Sequence, residues 1–187
     1  MNKKFILILG PQGSGKSTQG KLISEHLLYR FVSTGEILRQ AADDGNPLGK
    51  KLVHYWEKGE LVPDQIIEGI LFPILENSET KGFVLDGYPR TIDQVNSLIS
   101  FIELNGDRLE HVFYLSVGEE ECIRRLMDRS LIEKRIDENA DAVKRRLAIY
   151  HSETEPLLTE YLKMGILRKI DGEQSVEKIQ EDIKEYF

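Results

Sequence analysis

The chain has 187 residues, of which 40% are hydrophobic and 30% are charged, and its formal net charge is −7. The length predicts one domain with a sizeable buried core, and the acidic balance argues against nucleic acid or a membrane surface as a partner. The single cysteine, Cys122, excludes an internal disulfide, and four scattered histidines argue against zinc. Since no apolar run approaches the roughly 20 residues that span a bilayer, we expect a cytoplasmic protein.

Short apolar strands alternate with helices along the whole chain. Pro156 is expected to kink or split the longest helix, and Ser175 is expected to cap the last one. In chain order the predicted elements are strand 5–9, helix 16–28, a short strand near 32, helices 35–42, 48–58 and 64–77, a strand around 84, helix 91–104, a strand from 111, helices 119–129 and 140–163, a strand ending at 171, and helix 176–186.

The strands predict the class of sheet. They are almost continuously apolar and are separated by helices, which is typical of a parallel sheet covered on both faces. Ligands of such sheets bind at the carboxyl ends of the strands. The predicted strand ends place Gly10, Asp86 and Ser116 on one rim.

A glycine-rich segment, "GPQGSGKST" at 10–18, joins the first strand to the first helix. Its glycines allow backbone N–H groups to turn toward phosphate oxygens, and the helix adds its positive N-terminal end. Lys16 would reach the outer phosphates and Ser17 would bind Mg²⁺. The pattern G-x-x-x-x-G-K-[ST], met by Gly10, Gly15, Lys16 and Ser17, therefore predicts a nucleoside triphosphate site. It leaves the phosphate acceptor open.

Arginine is concentrated in the second half of the chain, in "RRLMDR" at 124–129, at Arg135, and in "KRR" ending at Arg146. One interpretation is a solvated helix face with pairs of opposite charge four residues apart. The other is that positive charge is gathered around one small polyanion. The phosphate loop favours the second interpretation.

Four motifs in order resemble the adenylate kinase family of nucleoside monophosphate kinases. Beside "GKSTQ" they are "STGEILR" at 33–39, "GELVPD" at 59–64 and "LDGYPRTIDQ" at 85–94. The resemblance continues through "RIDEN", "KRRL", "TEPLLTEY" and "KIDG", over nearly the whole chain.

The resemblance implies a fold and a reaction. The fold would be a single α/β domain of the P-loop NTPase type, with a five-stranded parallel sheet and helices on both faces. A mobile monophosphate-binding segment would span 33–62 and a short lid 128–138, leaving 1–32, 63–127 and 139–187 as the core. The reaction would be reversible phosphoryl transfer, ATP + AMP to two ADP, with Mg²⁺ and without zinc, by a monomer.

The resemblance also assigns roles to individual residues. Catalysis would use Lys16, Arg90, Arg129, Arg135 and Arg146. ATP would contact Gly13, Ser14, Gly15, Lys16, Ser17, Thr18, Arg125, Arg129 and Gln174. AMP would contact Thr34, Arg39, Glu60, Leu61, Val62, Gly87, Arg90, Gln94, Arg135 and Arg146. Mg²⁺ would be held by Ser17 and, through water, by Asp86.

Two departures and two alternatives accompany this interpretation. Ser17 replaces a glycine that the family usually has after the lysine, and "RSLIEKR" at 129–135 lacks the glycines of the usual lid. Thr34 and Gln94 favour AMP, because relatives acting on UMP and CMP tend to have alanine and asparagine there, and a UMP/CMP kinase is the alternative. A non-catalytic P-loop regulatory protein is the alternative from another class.

Overall fold

The computed structural model describes residues 2–43, 47–58, 60–133 and 140–187; a few side chains beside the gaps, that of Arg129 among them, are outside this description. In chain order its elements are β1 (Lys4–Leu9), α1 (Lys16–Leu27), β2 (Arg30–Ser33), α2 (Thr34–Asp43), α3 (Pro47–Lys58), α4 (Asp64–Glu76), β3 (Gly82–Asp86), α5 (Ile92–Leu104), β4 (Arg108–Ser116), α6 (Glu119–Glu133), α7 (Ala140–Ile149), a π-helical turn (Tyr150–Thr154), α8 (Leu157–Lys163), β5 (Leu167–Asp171) and α9 (Val176–Lys184).

The strands pair in parallel in the order β2-β3-β1-β4-β5. The register sets Asp86, the last residue of β3, beside Ile8 of β1 and Ser33 of β2. Asp86 therefore lies at the carboxyl rim of the sheet, next to the segment that leaves β1. The predicted five-stranded parallel α/β fold is confirmed.

The continuous apolar run of β1 is explained by burial on both faces of the sheet. Phe5, Leu7 and Leu9 belong to a core that includes side chains of α4, α5 and α8. Ile6 and Ile8 belong to a second core, with side chains of α1 and α9. Successive strand residues point to opposite faces, so a strand covered by helices on both sides has no position for a polar side chain.

The long helix predicted over 140–163 is divided, as Pro156 suggested. The last hydrogen bond before the proline is of the π-helical type: Glu155 N donates to Tyr150 O, five residues back instead of four, at 2.8 Å. Pro156 has no N–H to continue the ladder, and α8 starts at the next residue.

Other element ends agree with the sequence or differ for a local reason. Ser175 caps α9, since its Oγ accepts a hydrogen bond from Lys178 N at 3.2 Å. β4 starts earlier than predicted because Arg108 pairs with Lys4 of β1, and backbone pairing does not depend on side-chain polarity. α6 extends past 129 because 130–133 contains no glycine or proline to end it. Within the described part of the chain, no helix has the length and apolarity needed to cross a membrane.

Candidate active site

A cleft of about 330 Å³ opens at the carboxyl ends of β1, β2 and β3. The phosphate-loop segment 10–18 forms one wall, and the turn after β3 forms another. Further walls come from the start of α2, the segment before α4, and the end of α7 with the π-helical turn. The cleft therefore lies where a parallel sheet is expected to bind its ligand.

Backbone conformation and space both require glycine in the phosphate loop. Gly13 and Gly15 have φ of 85° and 89°, in the left-handed region. A Cβ on Gly13 would lie 2.5 Å from the carbonyl oxygen of Cys122, at the start of α6. Because α1 begins within this segment, at Lys16, the N–H groups of its first turn lie at the cleft wall and form a ready anion site.

Lys16 folds back over this loop. Its Nζ donates to the carbonyl oxygen of Pro11 at 2.6 Å and lies 3.5 Å from Ser14 Oγ. The same side chain lines the cleft. The ammonium group is therefore held above the loop, where a phosphate bound by the loop amides would meet it.

Two oxygen groups beside the loop fit a magnesium ion. Ser17 Oγ donates to Asp86 Oδ2 at 2.5 Å, and Ser33 Oγ lies 3.4 Å from the same oxygen. Among the described residues, no three His, Cys, Asp or Glu side chains form a metal-binding group. Mg²⁺ prefers oxygen ligands and keeps waters and phosphate oxygens in its shell, so one carboxylate and one hydroxyl suit it.

Three arginines line the cleft, namely Arg39, Arg90 and Arg146, and they are close enough for the charges of Arg39 and Arg146 to act on Arg90. Arg90 Nε donates to Gly87 O at 2.7 Å. Burial lowers the pKa of Arg90, and the charges of Arg146 and Arg39 lower it further, while Asp86 opposes them. Like charges held together are unfavourable until an anion neutralises them. The lowered pKa of Arg90 means that Asp86 offsets this cost only in part, so the cluster would favour a further anion.

Comparison with known proteins agrees with this geometry. The family model for adenylate kinase matches residues 8–166. The chain belongs to the adenylate kinase family. An adenylate kinase of Prochlorococcus marinus (strain MIT 9515) is 42% identical over 183 residues, which cover 98% of each chain. That of Thermobifida fusca (strain YX) is 38% identical over 175 residues, covering 93% of each. That of Leptospira biflexa serovar Patoc (strain Patoc 1 / Ames) is 38% identical over 181 residues, covering 96% of this chain and 97% of the relative.

Membership of the adenylate kinase family confirms the family predicted from the four motifs, and with it an enzyme of the nucleoside monophosphate kinase class. Most of the described residues that the motifs single out for ligands lie on the cleft wall. These are Gly13, Gly15, Lys16, Ser17, Thr18 and Arg125 for ATP, Thr34, Arg39, Glu60, Leu61, Val62, Gly87, Arg90 and Arg146 for AMP, and Asp86 for the metal.

Two arginines of α6, Arg124 and Arg125, differ in their surroundings. One fits the interpretation of a solvated helix face, and the other fits that of positive charge gathered around a polyanion. Arg124 is exposed and pairs with Glu121 and Asp128 along the helix, as a solvated face would. Arg125 also binds Glu121, at 2.6 Å, but its Nη1 donates to Gly172 O at 3.0 Å, beyond β5, and it lines the cleft. Hydrogen bonds from both arginines lower the pKa of Glu121 to about 2. Of these two arginines, Arg125 is therefore the one that lies on the cleft wall.

The turn after β3 depends on a close approach between backbone and side chain. Gly87 has φ of 83°, and a Cβ there would lie 2.7 Å from Thr34 Oγ1. Thr34 is buried, and its Oγ1 donates to Asp86 O at 3.3 Å. The start of α2 is thus held against the turn that carries Arg90.

Of the described residues predicted to bind nucleotide, Ser14, Gln94 and Gln174 are not on the cleft wall. Ser14 is buried inside the loop. Gln94 is buried in α5, where its Oε1 accepts from Arg90 N at 2.7 Å and its Nε2 donates to Asp64 Oδ1 at 2.5 Å. Gln174 donates to Asp182 Oδ2 at 2.9 Å.

Two predicted residues fall outside the description: Arg135 altogether, and Arg129 for its side chain. In the other direction, the sequence analysis missed Tyr150 and Thr154, which line the cleft from the π-helical turn. The signal that could have found Tyr150 is its spacing, four residues after Arg146 on one helical face. Thr154, eight residues after Arg146, reaches the same side through the π-helical turn.

Proposed function

We propose that this protein catalyses reversible phosphoryl transfer from ATP to AMP, giving two ADP, in the cleft described above. The observation that carries the proposal is one cleft lined by a lysine-bearing phosphate loop and by a separate cluster of three arginines. Two phosphate sites facing one space are what a transfer between two nucleotides requires. Phosphoryl transfer needs positioning and charge neutralisation rather than a covalent nucleophile.

On the donor side, the loop amides and Lys16 would hold the ATP phosphates, with Arg125 against the nucleotide. On the acceptor side, Arg39 and Arg90 would hold the AMP phosphate. Arg146 would meet the phosphoryl group in flight. Arginine suits these positions because its planar donors bind phosphate in pairs and stay charged. By resemblance alone, Arg129 and Arg135 would join the ATP side and the transferring group, Gln174 would touch ATP, and Thr34, Glu60, Leu61, Val62, Gly87 and Gln94 would surround AMP.

Ser17 and Asp86 would hold the magnesium ion that accompanies ATP. Their contact at 2.5 Å brings a hydroxyl and a carboxylate to one point on the cleft wall. A bound Mg²⁺ would neutralise charge on the phosphate oxygens. The protein's own contribution there is to fix those two oxygens next to the loop.

The proposal includes two covers over the cleft, at 33–62 and 128–138, in a monomeric cytoplasmic enzyme. Support for the first cover is that Thr34, Arg39 and Val62 line the cleft. The second falls partly outside the described residues and rests on the resemblance. Closure matters because ATP in an open cleft is exposed to transfer to water.

Acceptor choice is the first measurement. With ATP and Mg²⁺ present, an assay coupled to ADP production is expected to show a clear preference for AMP over CMP, UMP and GMP. The physical reason is that a buried polar site left unpaired by the wrong base discriminates strongly. Gln94→Ala is expected to weaken that preference, since the family resemblance places this amide around the adenine of AMP.

Gln65→Ala, on the exposed face of α4, is the matched control and should change nothing. CMP or UMP turned over as efficiently as AMP would establish the UMP/CMP kinase alternative instead. ATP binding without ADP production from any acceptor would establish the non-catalytic alternative.

Closure is the second measurement. A bisubstrate mimic, two adenosines joined by five phosphates, is expected to raise the Tm by mass action and to protect amides of 33–62 and 128–138 from hydrogen exchange. Its phosphates would neutralise the arginine cluster, whose mutual repulsion opposes closure in the free enzyme. Amides of α9, on the far side of the sheet, serve as the internal control. Protection confined to 10–18 would contradict the two covers.

A further inference from the structure

The main chain of Arg90 is held from both sides. Its N–H donates to Gln94 Oε1 at 2.7 Å, and its carbonyl oxygen accepts from Thr154 Oγ1 at 2.9 Å. The two partners belong to separate elements, α5 and the π-helical turn. Since Gln94 is itself bound to Asp64 of α4 at 2.5 Å, one chain of hydrogen bonds joins three elements through the Arg90 peptide.

Thr154 lies on the cleft wall because the helix forms a π-helical turn at Tyr150–Thr154. In a regular α-helix, residues four apart drift by about 40° around the axis, so a residue eight beyond Arg146 would stand about 80° away from it. The hydrogen bond from Glu155 N to Tyr150 O spans five residues, so it closes a turn with one more residue than an α-helical turn. Because a π-helical turn contains more residues than an α-helical turn, the step from Tyr150 to Thr154 adds little of the rotation of about 40° that it would add in an α-helix. Arg146, Tyr150 and Thr154 consequently all line the cleft.

The turn that carries Arg90 is stabilised by its hydrogen bond from Thr154. Asp86 attracts the charge of Arg90, whereas Arg146 and Arg39 repel it, so contact between the turn and the helix that bears Arg146 depends on other bonds. The hydroxyl of Thr154 ties that turn to the same helical stretch. Thr154 is only 7% exposed, so water competes poorly for this bond.

We propose that Thr154 is a positioning residue for AMP: its hydroxyl, bonded to the Arg90 carbonyl, sets the spacing between the Arg90 and Arg146 guanidinium groups that receive a phosphate. This inference rests on the proposed function, in which that phosphate belongs to AMP. Thr154 touches neither nucleotide in this role. It acts through the main chain of Arg90.

The test separates AMP from ATP. Thr154→Val keeps the shape and loses the donor, and it is expected to weaken AMP binding and raise KM for AMP by about three- to tenfold, as the loss of one buried hydrogen bond allows. KM for ATP should stay within about twofold of the wild-type value, because the lost hydrogen bond lies on the AMP side only. Thr154→Ser keeps the donor and should bind AMP as the wild type does.

Three controls keep the outcome decisive. Thr159→Val alters an exposed threonine of α8 and should leave both KM values unchanged. If Thr154→Val does not fold, Thr154→Ala against Thr154→Ser makes the same comparison without the branched side chain. Calorimetric titration of AMP into the wild type tests the proposed function separately.

The outcomes are distinct. A wild type that binds no AMP overturns the proposed function and this inference with it. A wild type that binds AMP, beside a folded Thr154→Val that binds it equally well, overturns this inference alone. Equal weakening of AMP and ATP would mean a general structural role and would also overturn it. Selective loss of AMP binding, rescued by serine, supports it.

Discussion

Lys16→Met is expected to lower kcat by about 10²–10³-fold while the fold survives. The ammonium group lies over the phosphate loop, bonded to Pro11 O at 2.6 Å. It is thus held where charge develops on the transferring phosphoryl group, and a contact stronger in the transition state than in the ground state acts on kcat. Methionine keeps an unbranched side chain one atom shorter than that of lysine and removes its charge.

The fold should survive because Lys16 contributes no side chain to either core of the sheet. Loss of its loop contacts should cost about 1 kcal/mol of unfolding free energy. Lys21→Met is the matched control: it is also on α1, but its Nζ makes an exposed ion pair with Glu36 at 2.9 Å. Near-normal turnover of Lys16→Met, or an unfolded circular dichroism spectrum, would contradict the expectation.

Arg90→Met is expected to raise KM for AMP by about 10²-fold, since removing one partner of a buried charged contact costs several kcal/mol. The Tm of the ligand-free protein is expected not to fall. The variant loses the bond to Gly87 O at 2.7 Å and the attraction of Asp86. It also removes a guanidinium whose pKa is lowered because its burial and the charges of Arg146 and Arg39 outweigh that attraction. Opposite effects on ligand affinity and on stability are the signature of a site arranged for an anion.

The measurement pairs AMP kinetics with thermal melting, with and without AMP. AMP should raise the Tm of the wild type and leave that of Arg90→Met almost unchanged. Arg168→Met is the matched control, because Arg168 lies on β5 with its guanidinium 5.3 Å from the ring of Tyr186, and its KM for AMP should be normal. An Arg90→Met enzyme with normal KM for AMP would remove Arg90 from the acceptor site.

Some features of this protein are determined by contacts between close neighbours in the chain, and these could be predicted from the sequence. The loop at 10–18 is one, since the lysine and its carbonyl partner are five residues apart. The strands are another, because burial on both faces leaves a continuous apolar run such as that of β1. The division of the long helix at Pro156 and the cap at Ser175 are likewise local.

The order of the strands and the make-up of the cleft depend on contacts between residues far apart in the chain. Asp86 meets Ser17 across 69 positions, and only the placement of β3 beside β1 brings them together. The convergence of the three arginines is of the same kind. Taken alone, each arginine was more compatible with a surface ion pair than with a ligand contact, and the resemblance to a family was needed to group them.

The hydrogen-bond partners of Gln94 and Thr154 are the clearest examples of contacts that the sequence could not predict. Nothing near Gln94 in the chain indicates that its amide binds Asp64, 30 positions away, as well as the Arg90 peptide. Thr154 bonds a carbonyl 64 positions away, and a carbonyl oxygen is present at every residue, so no side-chain pattern could have identified that partner. The sequence by itself determined the phosphate loop and the kind of sheet; packing of distant elements decided which backbone groups hold the arginines in place.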